Sequence, residues 1–266
     1  MSELRAESVT VGYGAAPVLR DLTFEVPAGR VTSIVGPNGC GKSTLLRTLA
    51  RLLPPSEGEV LLDGEPIDDR STRDVARRLA LLPQSPTAPE GLLVSDLVMR
   101  GRHPHQRWFR QWSPKDETMV GEALSWTDTA ELKDRPLDEL SGGQRQRAWL
   151  AMTLAQDTEL LLLDEPTTFL DLAHQVEVLD LVVRLNRERE RTVVMVLHDL
   201  NLAARYSDTV VVMRDGVIVD EGDPAVIVTR ELIASVFGLE CEVLSDPRTG
   251  LPIVVPVASA AGVPTG

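Results

Sequence analysis

What this sequence has little of sets the first limits. Its 266 residues contain only two cysteines, Cys40 and Cys241, too few for a disulfide framework and in keeping with a reducing compartment. Excess positive charge is missing as well: 40 acidic against 27 basic residues leave a formal charge of -13, which argues against bulk attraction to nucleic acid or anionic lipid. No apolar run reaches the roughly 20 residues that a bilayer helix needs. The longest, 160–163 and 193–197, are strand-sized. The polar opening Ser2-Glu3-Leu4-Arg5 lacks the apolar segment of a signal peptide. The expectation is a soluble, cytoplasmic protein. Internal repeats and low-complexity blocks are absent too, and an α/β domain of this length buries roughly 70–75% of its extended surface without auxiliary staples.

What is present begins with Gly36-Pro37-Asn38-Gly39-Cys40-Gly41-Lys42-Ser43-Thr44, which fits the phosphate-loop pattern G-x-x-x-x-G-K-[ST] without a mismatch. Val31 to Val35 reads as a short buried strand before it, and Ser43 to Leu53 as a helix carrying Leu45, Leu46, Leu49, Leu52 and Leu53 after it. A strand, a glycine loop and a helix N-terminus make an anion site. Backbone N–H groups point at phosphate, the helix dipole adds partial positive charge, and Lys42 brings a full one. Ser43 would hold Mg2+ through its hydroxyl. Cys40 lies inside the loop, so a bulky thiol reagent is expected to block the site and ATP to protect it.

Ahead of the loop, Val9 to Val26 alternates strand-like segments around the turn Gly12-Tyr13-Gly14, an antiparallel entry. Tyr13 can stack on a purine or simply serve the turn. Behind it, Pro54-Pro55-Ser56-Glu57-Gly58 stops the helix, Asp63-Gly64 signals a hairpin, and the strand Leu79 to Leu82 ends at Pro83-Gln84. From Gln84 to Gln156 no strand is legible, while Val94 to Met99 and Glu117 to Leu124 look helical, which fits a helical insertion. Within it Trp108, Phe109 and Trp112 stand among Arg102, Arg107 and Arg110. The acidic chain makes single-stranded nucleic acid the minor reading; the core of a small helical subdomain and a docking surface for a partner protein both stay open. His103 and His105 are a lone H-x-H pair, weak as a metal site.

Leu140-Ser141-Gly142-Gly143-Gln144-Arg145-Gln146-Arg147 is the second unusual stretch. Ser141 suits an N-cap, and Ala148, Leu150, Ala151, Leu154 and Ala155 continue a helix. Glycines in its first turn cost on the order of 1 kcal/mol each relative to alanine, so another group is expected to approach this backbone closely. Physically, a helix N-terminus with bare glycines is a second phosphate site.

Leu160 to Leu163 then runs into Asp164-Glu165, a buried parallel strand with carboxylates at the end where such sheets bind ligands. Asp164 would meet a Mg2+ shell and Glu165 could polarise an attacking water. Leu172, Val176, Leu179 and Val183 mark an amphipathic helix, with Asp180 and Arg184 expected to pair on its flank. The strand Thr192 to Leu197 delivers His198, either a capping residue or a sensor of the γ-phosphate. Thr209 to Met213, Asp215-Gly216 and Val217 to Val219 read as a closing hairpin, Glu231 to Phe237 as a short helix, and the stretch from Gly250 as a Pro-rich tail.

In this order the motifs resemble the nucleotide-binding subunit of an ABC transporter over nearly the whole chain. Gly36 to Thr44 resembles the Walker A loop, Gln84 the Q-loop glutamine, and Leu140 to Gln144 is identical to the LSGGQ signature. Leu160 to Glu165 resembles Walker B with its catalytic glutamate, Leu170-Asp171 the D-loop, and His198 the H-loop histidine; Tyr13 falls where the family stacks adenine. Arg100 to His105, Gln144 to Trp149, Glu165 to Asp171 and His198 to Asn201 are similar to ATPases of ferric-siderophore importers, the enterobactin type most closely; the aromatic Phe169 supports that subgroup.

The resemblance implies an α/β P-loop NTPase: a RecA-like mixed sheet core, an N-terminal antiparallel β subdomain and an inserted helical subdomain. The ATPase domain would span 1–240, with core segments 1–86 and 157–240, helical insertion 87–156, and a C-terminal tail 241–266. It also implies ATP and Mg2+ as ligands, with Ser43, Gln84 and Asp164 at the metal, Glu165 as general base, and Gln84 and His198 beside it. Ser141, Gly142, Gly143 and Gln144 would act on the ATP of a second copy in a head-to-tail dimer. Transport would need separate membrane-spanning permease subunits, docked near Gln84 to Trp112, and indirectly a substrate-binding protein, placing this chain on the cytoplasmic face of the membrane. Corrinoid or heme import is an alternative cargo. A soluble, non-transport ABC ATPase is disfavoured, since the chain has one cassette and no sustained heptads, and a switch GTPase lacks its N-K-x-D motif.

Overall fold

The computed structural model describes residues 2–14, 16–106, 112–168 and 170–257. Strands β1 (Leu4–Gly12) and β2 (Pro17–Glu25) lead to β3 (Val31–Val35), helix α1 (Lys42–Leu49), β4 (Glu57–Leu62), β5 (Glu65–Pro66), the short α2 (Thr72–Val75) and β6 (Leu79–Leu82). Three main helices follow: α3 (Val94–Arg100), α4 (Pro114–Trp126) and α5 (Gly142–Ala155). The chain then returns through β7 (Leu160–Asp164), α6 (Leu172–Arg189), β8 (Thr192–Val196), α7 (Leu200–Tyr206), β9 (Thr209–Arg214) and β10 (Val217–Gly222). It closes with α8 (Pro224–Ile227), α9 (Arg230–Phe237), β11 (Cys241–Ser245) and β12 (Pro252–Pro256).

The central sheet has the order β10-β9-β3-β8-β7-β6, parallel except for β10, which returns antiparallel beside β9. A separate antiparallel sheet, β2-β1-β4-β5, packs against α1. The mixed sheet, the antiparallel sheet and the helical insertion implied by the resemblance are all present.

Because β7 is buried on both faces, its four leucines serve two cores. Leu160 and Leu162 face α1 and the antiparallel sheet, in a cluster with Leu45, Leu46 and Leu49. Leu161 and Leu163 face the other way, with Leu150 and Ala151 of α5 and Val178 and Leu179 of α6. This alternation decides where the strand's carboxylates point, since Asp164 shares the side of Leu162 and so meets α1.

Several expectations need correction. Helix α1 stops at Leu49 rather than Leu53, because Arg51 turns left-handed at φ 59 and the N–H groups of Leu52 and Leu53 fold back onto the Arg47 carbonyl. Leu52 is left exposed. Arg102, read as part of a basic surface, is 1% exposed: its Nε donates to Asp116 Oδ1 at 2.8 Å and its Nη1 to the Ala155 carbonyl at 2.7 Å. It pins α4 and α5 together inside the helical layer. Arg184 does not pair with Asp180; it donates to the Trp126 carbonyl and lies over the Trp126 ring, 4.7 Å from its centroid. Residues 241–256 form a hairpin rather than a plain tail, with Cys241 and Val254 buried and Asn201 of α7 bonded to both backbone groups of Val254. Trp108, Phe109, Arg107, Arg110 and Phe169 lie outside the described residues.

Candidate functional site

The loop between β3 and α1 curls around its own lysine. Lys42 is buried, and its Nζ donates to the carbonyls of Gly36 at 2.8 Å and Pro37 at 2.9 Å. Gly41 caps α1 at φ 107, and a Cβ there would fall 2.7 Å from Leu19 Cδ2, so only glycine fits this turn. The loop and the first turn of α1 line a cleft of about 530 Å³ with Tyr13, Val18, Gln84, Glu165 and His198. That volume suits a nucleotide-sized ligand. Tyr13 is 64% exposed at the rim, free to offer a ring face.

Asp164 lies beneath this cleft, 1% exposed. Its Oδ1 accepts from Ser43 Oγ at 2.7 Å, whereas its Oδ2 is buried without a hydrogen-bond partner, Arg47 Nε approaching only to 3.9 Å. Burial pushes the Asp164 carboxyl above the ordinary carboxylate range, the Ser43 bond and the Arg47 charge pulling back only in part. A buried carboxylate oxygen without a partner, next to a hydroxyl, fits a hard divalent cation. Gln84 points elsewhere: its Nε2 donates to Glu165 Oε2 at 2.6 Å.

Glu165 is held from three directions. Besides Gln84, Thr168 Oγ1 donates to Oε2 at 3.0 Å, and His198 Nε2 lies 2.7 Å from Oε1. The residue adopts φ 53, a left-handed turn that strands leave only under constraint. Burial pushes its carboxyl up, but the bonds from His198, Thr168 and Gln84 and the His198 charge outweigh it, leaving the pKa below the usual range. A carboxylate kept ionised at the mouth of an anion site can accept a proton from water.

The cleft thus gathers Tyr13, Asn38, Gly39, Gly41, Lys42, Ser43, Thr44, Gln84, Glu165 and His198, with Asp164 just below. Ser141, Gly142, Gly143, Gln144 and Asp171 do not line it. Ser141 and Gln144 instead bond to each other as a capping box at the start of α5, Gln144 N to Ser141 Oγ at 3.3 Å and Ser141 N to Gln144 Oε1 at 3.1 Å. Gly142 is exposed, but Gly143 is buried, and the group close to it is the His174 ring of the same chain. Asp171 caps α6.

Cys40 differs from expectation. Its thiol is 5% exposed, and burial pushes its pKa up despite the neighbouring Lys42, so it is a poor target for a bulky reagent. Thr168 and Arg47 escaped the sequence reading; the only signal for Thr168 is its position three residues after Glu165, the length of one turn.

Comparison with known proteins places this architecture. The ABC transporter family pattern matches residues 19–168. The chain is 52% identical over 253 residues to the petrobactin import ATP-binding protein FpuD of Bacillus anthracis, covering 95% of this chain and 93% of that one. It is 51% identical over 261 residues to the ferric enterobactin transport ATP-binding protein FepC of Escherichia coli K12, covering 98% and 96%. Among solved structures, the dimeric bacterial ABC transporter cassette MJ0796 superposes with a TM-score of 0.73 at 26% identity, over 83% of this chain and 98% of that one.

Proposed function

The chain belongs to the ABC transporter family, as an ATP-binding, ATP-hydrolysing subunit, and we propose that it powers import of a ferric siderophore through separate membrane-spanning subunits. For hydrolysis, the observation that carries this reading is the ionised Glu165 held by Gln84, Thr168 and His198 over the phosphate loop. For cargo, it is the identity of about half the residues, over nearly full length, with two siderophore-import subunits.

In this proposal Tyr13 stacks on adenine, while the amides of residues 36–44 and the Lys42 ammonium bind phosphates. Lys42 must exchange its bonds to Gly36 and Pro37 for phosphate oxygens. Ser43 and Asp164, with Gln84 released from Glu165, would hold Mg2+, which would neutralise phosphate charge. Glu165 takes the proton of the attacking water, and His198, exposed beside it, faces the γ-phosphate. Asn38 and Thr44 complete the cradle. The phosphate side is closed by Ser141, Gly142, Gly143 and Gln144 of a second copy in a head-to-tail pair, with Asp171 at the junction; the dimeric structure of the cassette MJ0796 supports pairing of two copies.

Residues 1–86 and 157–240 would form the ATPase core and 87–156 the subdomain that meets the permease, near Gln84 to Trp112. The 41% exposed Trp112 supports that surface, although Arg102 is removed from it. No helix among the described residues is long and apolar enough to cross a membrane, so separate permease subunits supply the path, with a substrate-binding protein on the far side. This chain works on the cytoplasmic face.

The test is uptake of radiolabelled iron on a set of siderophores in cells deleted for this chain. Restoration by the wild-type chain and not by Lys42→Ala is expected. Unchanged ferric-siderophore uptake on deletion, with corrinoid or heme uptake lost, would redirect the cargo.

A further inference from the structure

His174 has no part in the reaction outlined above, yet it stands between two pieces of it. Asp171 Oδ1, the cap of α6, accepts both the His174 backbone N–H at 2.9 Å and His174 Nδ1–H at 2.7 Å. Because a carboxylate oxygen only accepts, the second of these hydrogen bonds keeps a proton on Nδ1, and it fixes the plane of the ring. Held in that plane, the ring lies against the first turn of α5. A Cβ built on Gly143 would fall 2.6 Å from Cδ2, 3.0 Å from Cγ and 3.2 Å from Nε2. The first of these is shorter than a real Cβ contact, so an alanine at position 143 would force the ring or the backbone to move, which is a reason for glycine inside the chain as well as any reason outside it. One turn further along, Arg147 Nη1 bonds Glu177 Oε2 at 3.1 Å and ties the same two helices again. Next to His174, Gln175 Nε2 donates to the carbonyls of Leu170 at 3.0 Å and Thr167 at 3.4 Å, bracing the segment that follows Glu165.

We infer that His174 is a positioning residue that locks the Ser141–Gln144 turn of α5 to the Asp171 cap of α6, so that the two present themselves to a second copy as one rigid edge. This rests on the reading that this edge closes the partner's nucleotide. Asp171 sets the ring, and the ring sets the height of the Gly143 backbone. Both halves of the strut are needed: the donor toward Asp171 and the ring against Gly143. Since His174 does not line the cleft of its own chain, its loss leaves nucleotide affinity alone and slows turnover.

Two measurements on the full-length chain test this. Gly143→Ala should lower the thermal midpoint by roughly 3 °C or more in the wild-type background, because the new methyl meets the ring. In the His174→Ala background the same substitution should raise the midpoint, since alanine is the better helix former once space exists. In steady-state ATP hydrolysis, His174→Phe keeps a ring without the donor and His174→Asn keeps the donor without the ring. Each should lower kcat about tenfold and leave KM for ATP within about twofold. A Gly143→Ala effect of the same sign in both backgrounds, or wild-type kcat in either His174 variant, overturns the inference. Failure of the functional reading looks different: wild-type hydrolysis unaffected by Lys42→Ala would sink that reading, while the sign reversal in stability needs no nucleotide.

Discussion

His198 Nε2 lies 2.7 Å from Glu165 Oε1, so the residue beyond the end of β8 grips the carboxylate beyond the end of the neighbouring parallel strand β7. The pair spans adjacent strands at the carboxyl end of the sheet, where the phosphate loop also begins, which is how a topology becomes a reaction site.

Glu165→Gln removes the base while keeping the shape and most of the hydrogen bonds. Phosphate release should fall at least about a hundredfold with ATP affinity retained. His198→Ala should lower kcat less, because Thr168 still holds the carboxylate.

Asp164→Asn separates stability from metal binding. Burial without a partner for Oδ2 makes the charged form costly in the free protein. The thermal midpoint without nucleotide should therefore hold or rise by about 2 °C. Calorimetric titration with ATP should at the same time lose the Mg2+-dependent gain in affinity.

Arg102 and Asp116 are a buried pair, and breaking one half strands the other. Arg102→Ala should cost about 3–5 kcal/mol in denaturant unfolding, while Arg102→Met with Asp116→Leu together should cost less than that single change. The pair also has a pH signature. Burial raises the Asp116 carboxyl, but bonds from Ser113 and Arg102 outweigh it and hold the folded pKa below the ordinary range. Its contribution is thus complete above the unfolded value of about 3.9 and is lost as pH falls through the depressed folded value. Asp116→Asn should flatten the fall of the thermal midpoint across that acid window.

Both thiols are shielded, Cys40 at 5% and Cys241 at 1% exposure. A bulky aromatic disulfide reagent at neutral pH should label neither within minutes and both in unfolding denaturant. Rapid labelling of Cys40 in the folded protein would show that the loop opens.

Much of this site is written in local runs of sequence. A phosphate loop, a capping-box helix start and two buried strands ending in polar residues are each decided by neighbours in the chain, so Lys42, Ser43, Asp164, Glu165 and His198 could be picked out before any fold was known. What stayed hidden depends on pairing across distance. Nothing local says that Arg102 turns inward to Asp116 across the first half of the insertion, or that Cys241 and Val254 pack beneath α7. Nor could the four leucines of β7 reveal which face each takes, because a strand buried on both sides has no polar face to mark its period. The bond from Gln84 to Glu165 is of the same kind, joining residues that sequence reading assigns to separate roles.

Light scattering of Glu165→Gln asks whether this chain holds half of a nucleotide site. With ATP and Mg2+ the variant should run at twice the 29.1 kDa mass of one chain, and the same variant carrying Lys42→Ala should not. A mass of 29.1 kDa where ATP binding is measured to saturation would mean that a single chain holds a complete nucleotide site.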